Sequence, residues 1–381
     1  AFYRVRQAPR AELVSFELQS SFDYLTVVGI VVAAGANGFI SVNYPVDVYR
    51  LTYYTFDHRG RSTLASGAVC VPSGPAQAPL LSYQHGTVFE RTEAPSNPLV
   101  EEQGLGITFA SEGYVVAMPD YLGLGTNSPP LHPYVHARSE AVACVDMLRA
   151  TKTFMADELS LTHDGRLFLM GYSQGGHATL ALQKELELHH AGELPVTASA
   201  PMAGPHDLSG TMADAMLSNT PYDSPGYVAY LLFGYNAVYG FFDSPSEILK
   251  PAYDDELEAV LDGEHGGSEV DAVMPASGIP RDIFQAAFVN DFETNTGNVF
   301  RVALRANDTW RGWVPAVTTR LYHSSGDVTV PTANSEVAVS NFVAAGSTSV
   351  SLQYTGSADH EASVLPCFQA AEGWFDSLGA P

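Results

Sequence analysis

The feature that most constrains this fold is an alternation of short apolar segments with helical stretches from about residue 79 onward. The apolar segments predict strands at 79–83, 114–118, 166–170, 197–202, 318–323 and 349–354. The spacing of apolar residues between and after them predicts helices at 139–150, 175–188 and 366–378. Strands that alternate with helices form a mostly parallel sheet with helices on both faces, so we predict an α/β fold.

Two further strands are predicted upstream of this region, at 47–55 and 62–71, with a hairpin turn at 57–60 between them. In the helix at 139–150, Val142, Val145 and Leu148 share one face, and Ser139 is the predicted N-terminal cap. We assign no role to the first 45 residues.

The alternation stops between about residues 205 and 305, where we predict a mainly helical insertion. We expect its acidic residues, between 254 and 271, to form a solvated face. Its aromatic residues either pack a core within the insertion or present an apolar wall to a substrate. They are Tyr227, Tyr230, Phe233, Tyr235, Tyr239, Phe241 and Phe242. The predicted division is a core made of 1–204 and 306–381, with a cap or lid at 205–305.

The charge balance excludes some partners. The 381 residues include 18 basic and 42 acidic side chains, a net charge of −24, and only three lysines. Such a surface repels phosphate backbones and anionic lipid headgroups, so we expect no nucleic-acid partner. Adaptation to salt is one hypothesis for the acidic, lysine-poor composition, because ions screen the self-repulsion. Stability that rises with salt would support it, and indifference to salt would contradict it.

Cysteine content and hydropathy further limit the class of protein to which this chain can belong. Cys70, Cys144 and Cys367 form no disulfide framework, and we expect three buried thiols; one disulfide with one free thiol is the alternative. No apolar stretch reaches 18 residues, and the segment at 24–34 is short and interrupted by Gly29, so no stable membrane anchor is predicted. The first residue, Ala1, fits a mature chain after signal-peptide removal or a trimmed one.

A candidate nucleophile lies at 171–175, where the sequence GYSQG follows an apolar strand and precedes a helix. The G-x-S-x-G pattern alone is weak evidence, since this composition produces it by chance in roughly one chain in five. Its position strengthens it, because a serine at a sharp strand-to-helix turn projects its hydroxyl above the sheet. Ser173 is therefore the predicted nucleophile.

The residues downstream supply a base and an acid in the order that such a serine requires. Asp327 lies in the turn after the strand at 318–323, and His360 lies just past the strand at 349–354. We predict His360 as the base and Asp327 as its orienting acid. His323 competes with His360, but it lies at the end of a strand, where a structural role is expected. We interpret His177, four residues after Ser173, as structural too.

Main-chain N–H groups are expected to stabilise the oxyanion. The amide of Gln174 is the first predicted donor, and Thr87 or Gly86, in the loop after the strand at 79–83, supplies the second; we favour Thr87. His85 is interpreted mainly as a brace for this loop. His85, Tyr121 and Tyr172 are the substrate-pocket candidates, although packing beside the strand end explains Tyr121 equally well.

Five segments together resemble the secretory-lipase group of the α/β-hydrolases. They are 83–87 (YQHGT), 119–125 (PDYLGLG) with 132–134 (HPY), 171–176 (GYSQGG), 326–327 (GD) with 330–331 (VP), and His360. The resemblance implies an α/β-hydrolase fold, hydrolysis of small-molecule esters or lipids without a cofactor, and a helical lid. It also implies export, and hence a secreted or periplasmic enzyme.

Other functions are weighed against a serine esterase or lipase. A serine peptidase or amidase on the same fold shares the triad chemistry and is the main alternative. A non-catalytic binding protein is disfavoured because all three triad residues are present in order. A metalloenzyme is disfavoured because no HExxH motif occurs, and we predict no metal site. The motifs do not separate an esterase from a true lipase, because pocket depth is not written in them.

Overall fold

One nine-stranded sheet organises the chain. The computed structural model describes residues 11–126 and 131–381, so the first ten residues of the unassigned N-terminal segment lie outside the described residues. The strand order is β1-β2-β3-β5-β4-β6-β7-β8-β9. The pairs β1–β2, β2–β3 and β3–β5 are antiparallel, and the other five neighbouring pairs are parallel. The sheet is therefore mixed and mostly parallel, as predicted.

The strands lie where the apolar segments placed them, with small shifts at their ends. They are β1 (Leu13–Phe22), β2 (Val46–Phe56), β3 (Ser62–Pro72), β4 (Gln77–Gln84), β5 (Val115–Pro119), β6 (Thr162–Tyr172), β7 (Ala198–Met202), β8 (Thr319–His323) and β9 (Val350–Tyr354). The predicted hairpin joins β2 to β3, where Asp57 N–H donates to the Arg61 carbonyl at 2.9 Å. Strand β1 was not predicted; it pairs with β2 at one edge of the sheet.

Helices cover both faces of the sheet. One face packs against α1 (Tyr24–Ala33), α2 (Glu101–Ala110) and α12 (Val364–Ser377), and the other against α3 (Ala137–Asp157), α4 (Gln174–Glu185) and α11 (Ala333–Ala344). In β6, Phe168 and Met170 point to the first group, and Leu167 and Leu169 to the second. Both sets are buried, which explains the continuous apolar run of this strand.

Helix α3 differs from its prediction in two respects. It begins at Ala137, two residues before the expected start, and its N-terminal cap is His136, whose side chain accepts from the Ser139 N–H. Ser139 is therefore not the cap. Val145 and Leu148 are fully buried, but Val142 is only partly buried. The helix is also longer than predicted because its second half continues to pack under the sheet.

The segment between β7 and β8 contains helices and no strand among its described residues. The helices are α5 (Ala213–Met216), α6 (Gly226–Tyr239), α7 (Asp254–Val260), α8 (Gly267–Val273), α9 (Ala286–Thr294) and α10 (Val299–Ala306). They share one apolar core with the loops at the carboxyl edge of the sheet. Tyr230 and Tyr235 are buried in that core, whereas Tyr227 is only partly buried.

Three tyrosines attach these helices to the loops below. The hydroxyl of Tyr230 donates to the Val88 carbonyl at 3.3 Å, that of Tyr235 to the Val135 carbonyl at 3.0 Å, and that of Tyr222 to the Thr329 carbonyl at 2.7 Å. The acidic run on α7 and α8 is mostly solvent-exposed. The helical segment thus lies over the carboxyl ends of the strands.

The three cysteines are free and buried, so the prediction of buried thiols is confirmed. Among the described residues, no helix is long and apolar enough to cross a membrane. The apolar segment near the N-terminus instead forms α1, which buries Val27 and Val31 against the sheet and is capped by Asp23 through the Thr26 N–H at 2.8 Å.

Candidate active site

The predicted nucleophile occupies a strained turn between β6 and α4. Ser173 has φ 60° and ψ −122°, a positive φ that a non-glycine residue rarely adopts. Its N–H donates to the Met202 carbonyl of β7 at 2.9 Å, which holds the turn in place. Gly171 has no side chain because a Cβ there would lie 2.5 Å from the Gln84 carbonyl oxygen. The turn therefore presents the Ser173 hydroxyl at the carboxyl edge of the sheet.

The structure brings together all three predicted triad side chains. His360 Nε2 lies 2.9 Å from Ser173 Oγ, and His360 Nδ1 lies 2.6 Å from Asp327 Oδ2. The three residues follow β6, β8 and β9, which are parallel, so their carboxyl ends meet at one edge. All three are buried. This is the donor–acceptor order of a nucleophile, a base and an orienting acid.

A second histidine, His323, contacts the carboxylate of Asp327. His323 Nε2 lies 2.8 Å from the Val330 carbonyl oxygen and 3.3 Å from Asp327 Oδ2, while its Nδ1 accepts from the Ser335 hydroxyl at 2.8 Å. Burial alone would raise the pKa of Asp327, but hydrogen bonds from His323 and His360 outweigh it and lower the pKa to about 2. Asp327 is thus ionised at neutral pH. His323 contacts the acid and not the serine.

The predicted oxyanion donors lie beside Ser173. Gln174 is the first residue of α4, where main-chain N–H groups have no partner within the helix and the helix dipole is positive. Gly86 and Thr87 follow β4 and line the same cleft as Ser173 and His360. The Thr87 hydroxyl lies 2.9 Å from the Tyr134 hydroxyl, which anchors the loop from the other side.

Of the three pocket candidates, Tyr172 lines the cleft, but His85 and Tyr121 line neither of the two cavities that adjoin Ser173. Tyr172 donates to the His360 carbonyl at 2.7 Å and so braces the loop of the base. The rings of His85 and Tyr121 stack at 4.3 Å and are fully buried. Their packing at the strand ends turns both away from the cleft.

A buried polar network lies behind the nucleophile, and sequence reasoning missed its centre, Glu140. Gln174 Nε2 donates to Glu140 Oε1 at 3.0 Å and to His132 Nε2 at 2.7 Å. Burial lowers the pKa of His132 to about 4, so its ring is neutral and can accept. Glu140 Oε2 lies 2.7 Å from His177 Nδ1, and His177 Nε2 lies 3.1 Å from the Asn307 carbonyl oxygen. The network fixes the first turn of α4.

The cleft at Ser173 extends along the face of the sheet that α1 and α2 cover. It has a volume of about 1010 Å³, and Ile30 and Ala33 of α1, with Ala34 just after it, form part of its wall. Sequence reasoning missed this wall. The apolar content of 24–34 was a signal for a buried or site-facing helix, but nothing local indicated which elements it would meet.

The described residues hold no group of three or more histidine, cysteine, aspartate or glutamate side chains that could bind a metal ion.

Solved structures share this architecture. The chain is 28% identical to the rice cell wall degrading esterase LipA from Xanthomonas oryzae, over 96% of this chain and 98% of that one, with a TM-score of 0.87. It is 29% identical to a putative hydrolase from Legionella pneumophila, over 96% and 97%, with a TM-score of 0.87. Candida antarctica lipase A, at 18% identity over 98% and 84%, shows the same fold with a TM-score of 0.69. The predicted α/β-hydrolase fold is confirmed.

A comparison with curated protein sequences found no match. The model of the secretory lipase family matches residues 105–377, which is more than half of the chain and includes the nucleophile turn, Asp327 and His360. The resemblance noted in the motifs is thereby confirmed, and the chain belongs to the secretory lipase family of esterases and lipases, which are serine hydrolases.

Proposed function

We propose that the chain hydrolyses carboxylic esters through Ser173, His360 and Asp327, with an acyl-enzyme intermediate. The observation that carries the proposal is the pair of hydrogen bonds from Ser173 Oγ to His360 Nε2 at 2.9 Å and from His360 Nδ1 to Asp327 Oδ2 at 2.6 Å. They lie in a cleft next to the first turn of a helix. The substrate is a small-molecule ester or a lipid.

In the first half-reaction, Ser173 Oγ attacks the ester carbonyl carbon while His360 Nε2 takes the hydroxyl proton. The carbonyl oxygen becomes an oxyanion, and the N–H groups of Gln174 and of Thr87 or Gly86 stabilise it, at about 3 kcal/mol each. The ionised Asp327 stabilises the imidazolium. His360 then gives its proton to the departing alkoxide, which leaves as the alcohol.

In the second half-reaction, a water molecule attacks the acyl-enzyme and His360 takes its proton. Collapse of the second tetrahedral intermediate returns that proton to Ser173 and releases the carboxylic acid. Residues 205–305 act as a cap over the core formed by 1–204 and 306–381, and they restrict access of water and substrate to the serine. Because the motifs resemble those of secretory lipases, we expect the enzyme to be exported and to act outside the cytoplasm.

The test is hydrolysis of p-nitrophenyl esters by the wild type and by Ser173→Ala. We expect the variant to lose roughly 10⁴-fold or more in kcat. Ser199→Ala is the matched control, because Ser199 is a fully buried serine on the neighbouring strand β7 that lines neither cavity at the site. It should keep its activity. Ester hydrolysis that survives in Ser173→Ala would refute the proposal, and cleavage of p-nitroanilides alone would favour the amidase alternative.

A further inference from the structure

Two cavities of very different volume meet at Ser173. The first is the open cleft of about 1010 Å³ described above. The second, of about 30 Å³, lies under the helical segment that follows β7. Ser173 and Tyr227 are lining residues of both, so a substrate bonded to the serine faces the open cleft on one side and the small cavity on the other.

The small cavity is mostly apolar and lined by buried side chains. Its wall includes Leu208, Met212, Met216, Tyr222, Leu231 and Val330, all of them buried. Two of the three tyrosine hydroxyls in its wall bond to protein groups, since Tyr222 donates to the Thr329 carbonyl at 2.7 Å and Tyr134 lies 2.9 Å from the Thr87 hydroxyl. The cavity therefore suits a hydrocarbon group.

The position of His360 decides which part of an ester enters which cavity. The departing alcohol oxygen must reach His360 Nε2 to receive its proton. His360 lines the open cleft, but it is not among the residues that line the small cavity. The alcohol therefore occupies the open cleft, and the acyl group extends into the small cavity.

The volume of the small cavity limits the acyl group. One water-sized atom needs roughly 10–15 Å³ by this measure, so about 30 Å³ holds about two to three, which corresponds to the chain of a propionyl or butyryl group beyond its carbonyl carbon. A longer chain would have to displace α6, whose residues Leu231 and Leu232 belong to one packed core. The open cleft imposes no such limit on the alcohol.

We propose that this enzyme is a short-acyl esterase, which takes acetyl to butyryl groups in the small cavity and bulky alcohols in the open cleft. The proposal rests on the proposed function, because it assigns the two sides of the same serine. It places the selectivity for chain length in the helical segment and not in the sheet.

Two isomeric esters test the assignment directly. Hexyl acetate and ethyl hexanoate have the same composition, but one carries its chain on the alcohol and the other on the acyl group. We expect kcat/KM for hexyl acetate to exceed that for ethyl hexanoate by about 100-fold, since a single misplaced methylene changes kcat/KM by roughly 10–200-fold. Equal rates, or a preference for ethyl hexanoate, would overturn the assignment.

A pair of neighbouring leucines provides the structural control. Leu231→Ala enlarges the small cavity and should raise the ratio of ethyl hexanoate to hexyl acetate hydrolysis about 10-fold. Leu232→Ala makes the same change in the same helix and core, but Leu232 does not line the cavity, so its ratio should stay at the wild-type value. An identical ratio in both variants, with both folded by circular dichroism, would refute the proposal.

Hydrolysis of p-nitrophenyl acetate distinguishes failure of the short-acyl assignment from failure of the proposed ester hydrolysis. If it is cleaved and Ser173→Ala abolishes the cleavage, then a failed isomer test refutes only the short-acyl assignment. If it is not cleaved, the proposed ester hydrolysis fails, and the acyl assignment fails with it.

Discussion

Helix α4 packs closely against the end of β4 at Gly175, so Gly175→Ala tests whether the position of the neighbouring loop matters for activity. A Cβ added at Gly175 would lie 2.8 Å from the Gln84 carbonyl carbon and 2.8 Å from the His85 carbonyl oxygen, and it would come closer still to the Gln84 oxygen. Ordinary contacts begin at 3.4 Å, so the main chain at His85 must move by at least about 0.6 Å. Gly86 and Thr87 follow directly and move with it.

A displacement of this size acts on both stability and catalysis. Overpacking of this kind costs about 1–3 kcal/mol of the free energy of unfolding. A misplacement of about 1 Å in a catalytic group costs about 100-fold in rate, so a loss of 10- to 100-fold in kcat/KM is expected if the proposed oxyanion loop shifts. The assays are p-nitrophenyl acetate hydrolysis and thermal unfolding.

Gly373→Ala is the matched control for this prediction. Gly373 lies in α12, and a Cβ there would have no atom within 4 Å apart from its chain neighbours and the backbone of its own helix. Alanine is favoured over glycine inside a helix, so this variant should gain about 0.5–1 kcal/mol and keep its kcat/KM. A Gly175→Ala enzyme with wild-type Tm and kcat/KM would refute the reasoning from close approach.

Two further predictions concern buried carboxyl groups. Glu140→Gln leaves one acceptor oxygen for the contacts that Gln174 and His177 make with two, so we expect a loss of about 1–3 kcal/mol of stability and a lower kcat with little change in KM; a wild-type kcat would exclude a positioning role. Burial raises the pKa of Glu112 from 4.5 to about 8, so between these values the folded state keeps a proton that the unfolded state has lost. Stability should fall as pH rises through this window, by at most about 1.4 kcal/mol per pH unit for this group, and Glu112→Gln should flatten the slope in urea unfolding. An unchanged slope would contradict this.

Residues that act through local chain geometry were predictable from the sequence. The positions of Ser173, Asp327 and His360 followed from their places after three strands, because the carboxyl ends of parallel strands lie at one edge. The glycines around Ser173 and the apolar runs that become buried strands are likewise local signals. Each depends on the preferences of a few consecutive residues.

Features that depend on distant contacts could not be predicted in this way. Glu140 meets Gln174 and His177 across 34 and 37 residues, and no local pattern marks a glutamate as buried. The same holds for α1 as a wall of the cleft and for the inward packing of His85 and Tyr121.

The amino-acid sequence alone was enough to predict the class of fold and the chain order of the three candidate triad residues. The shape of the candidate site, with an open cleft on the His360 side of Ser173 and a small apolar cavity on the other, depends on how the elements pack together. The physical reason is that periodicity reports which face of an element is buried. The volume left between packed elements depends on side chains that are far apart in the chain, such as Leu231 and Val330.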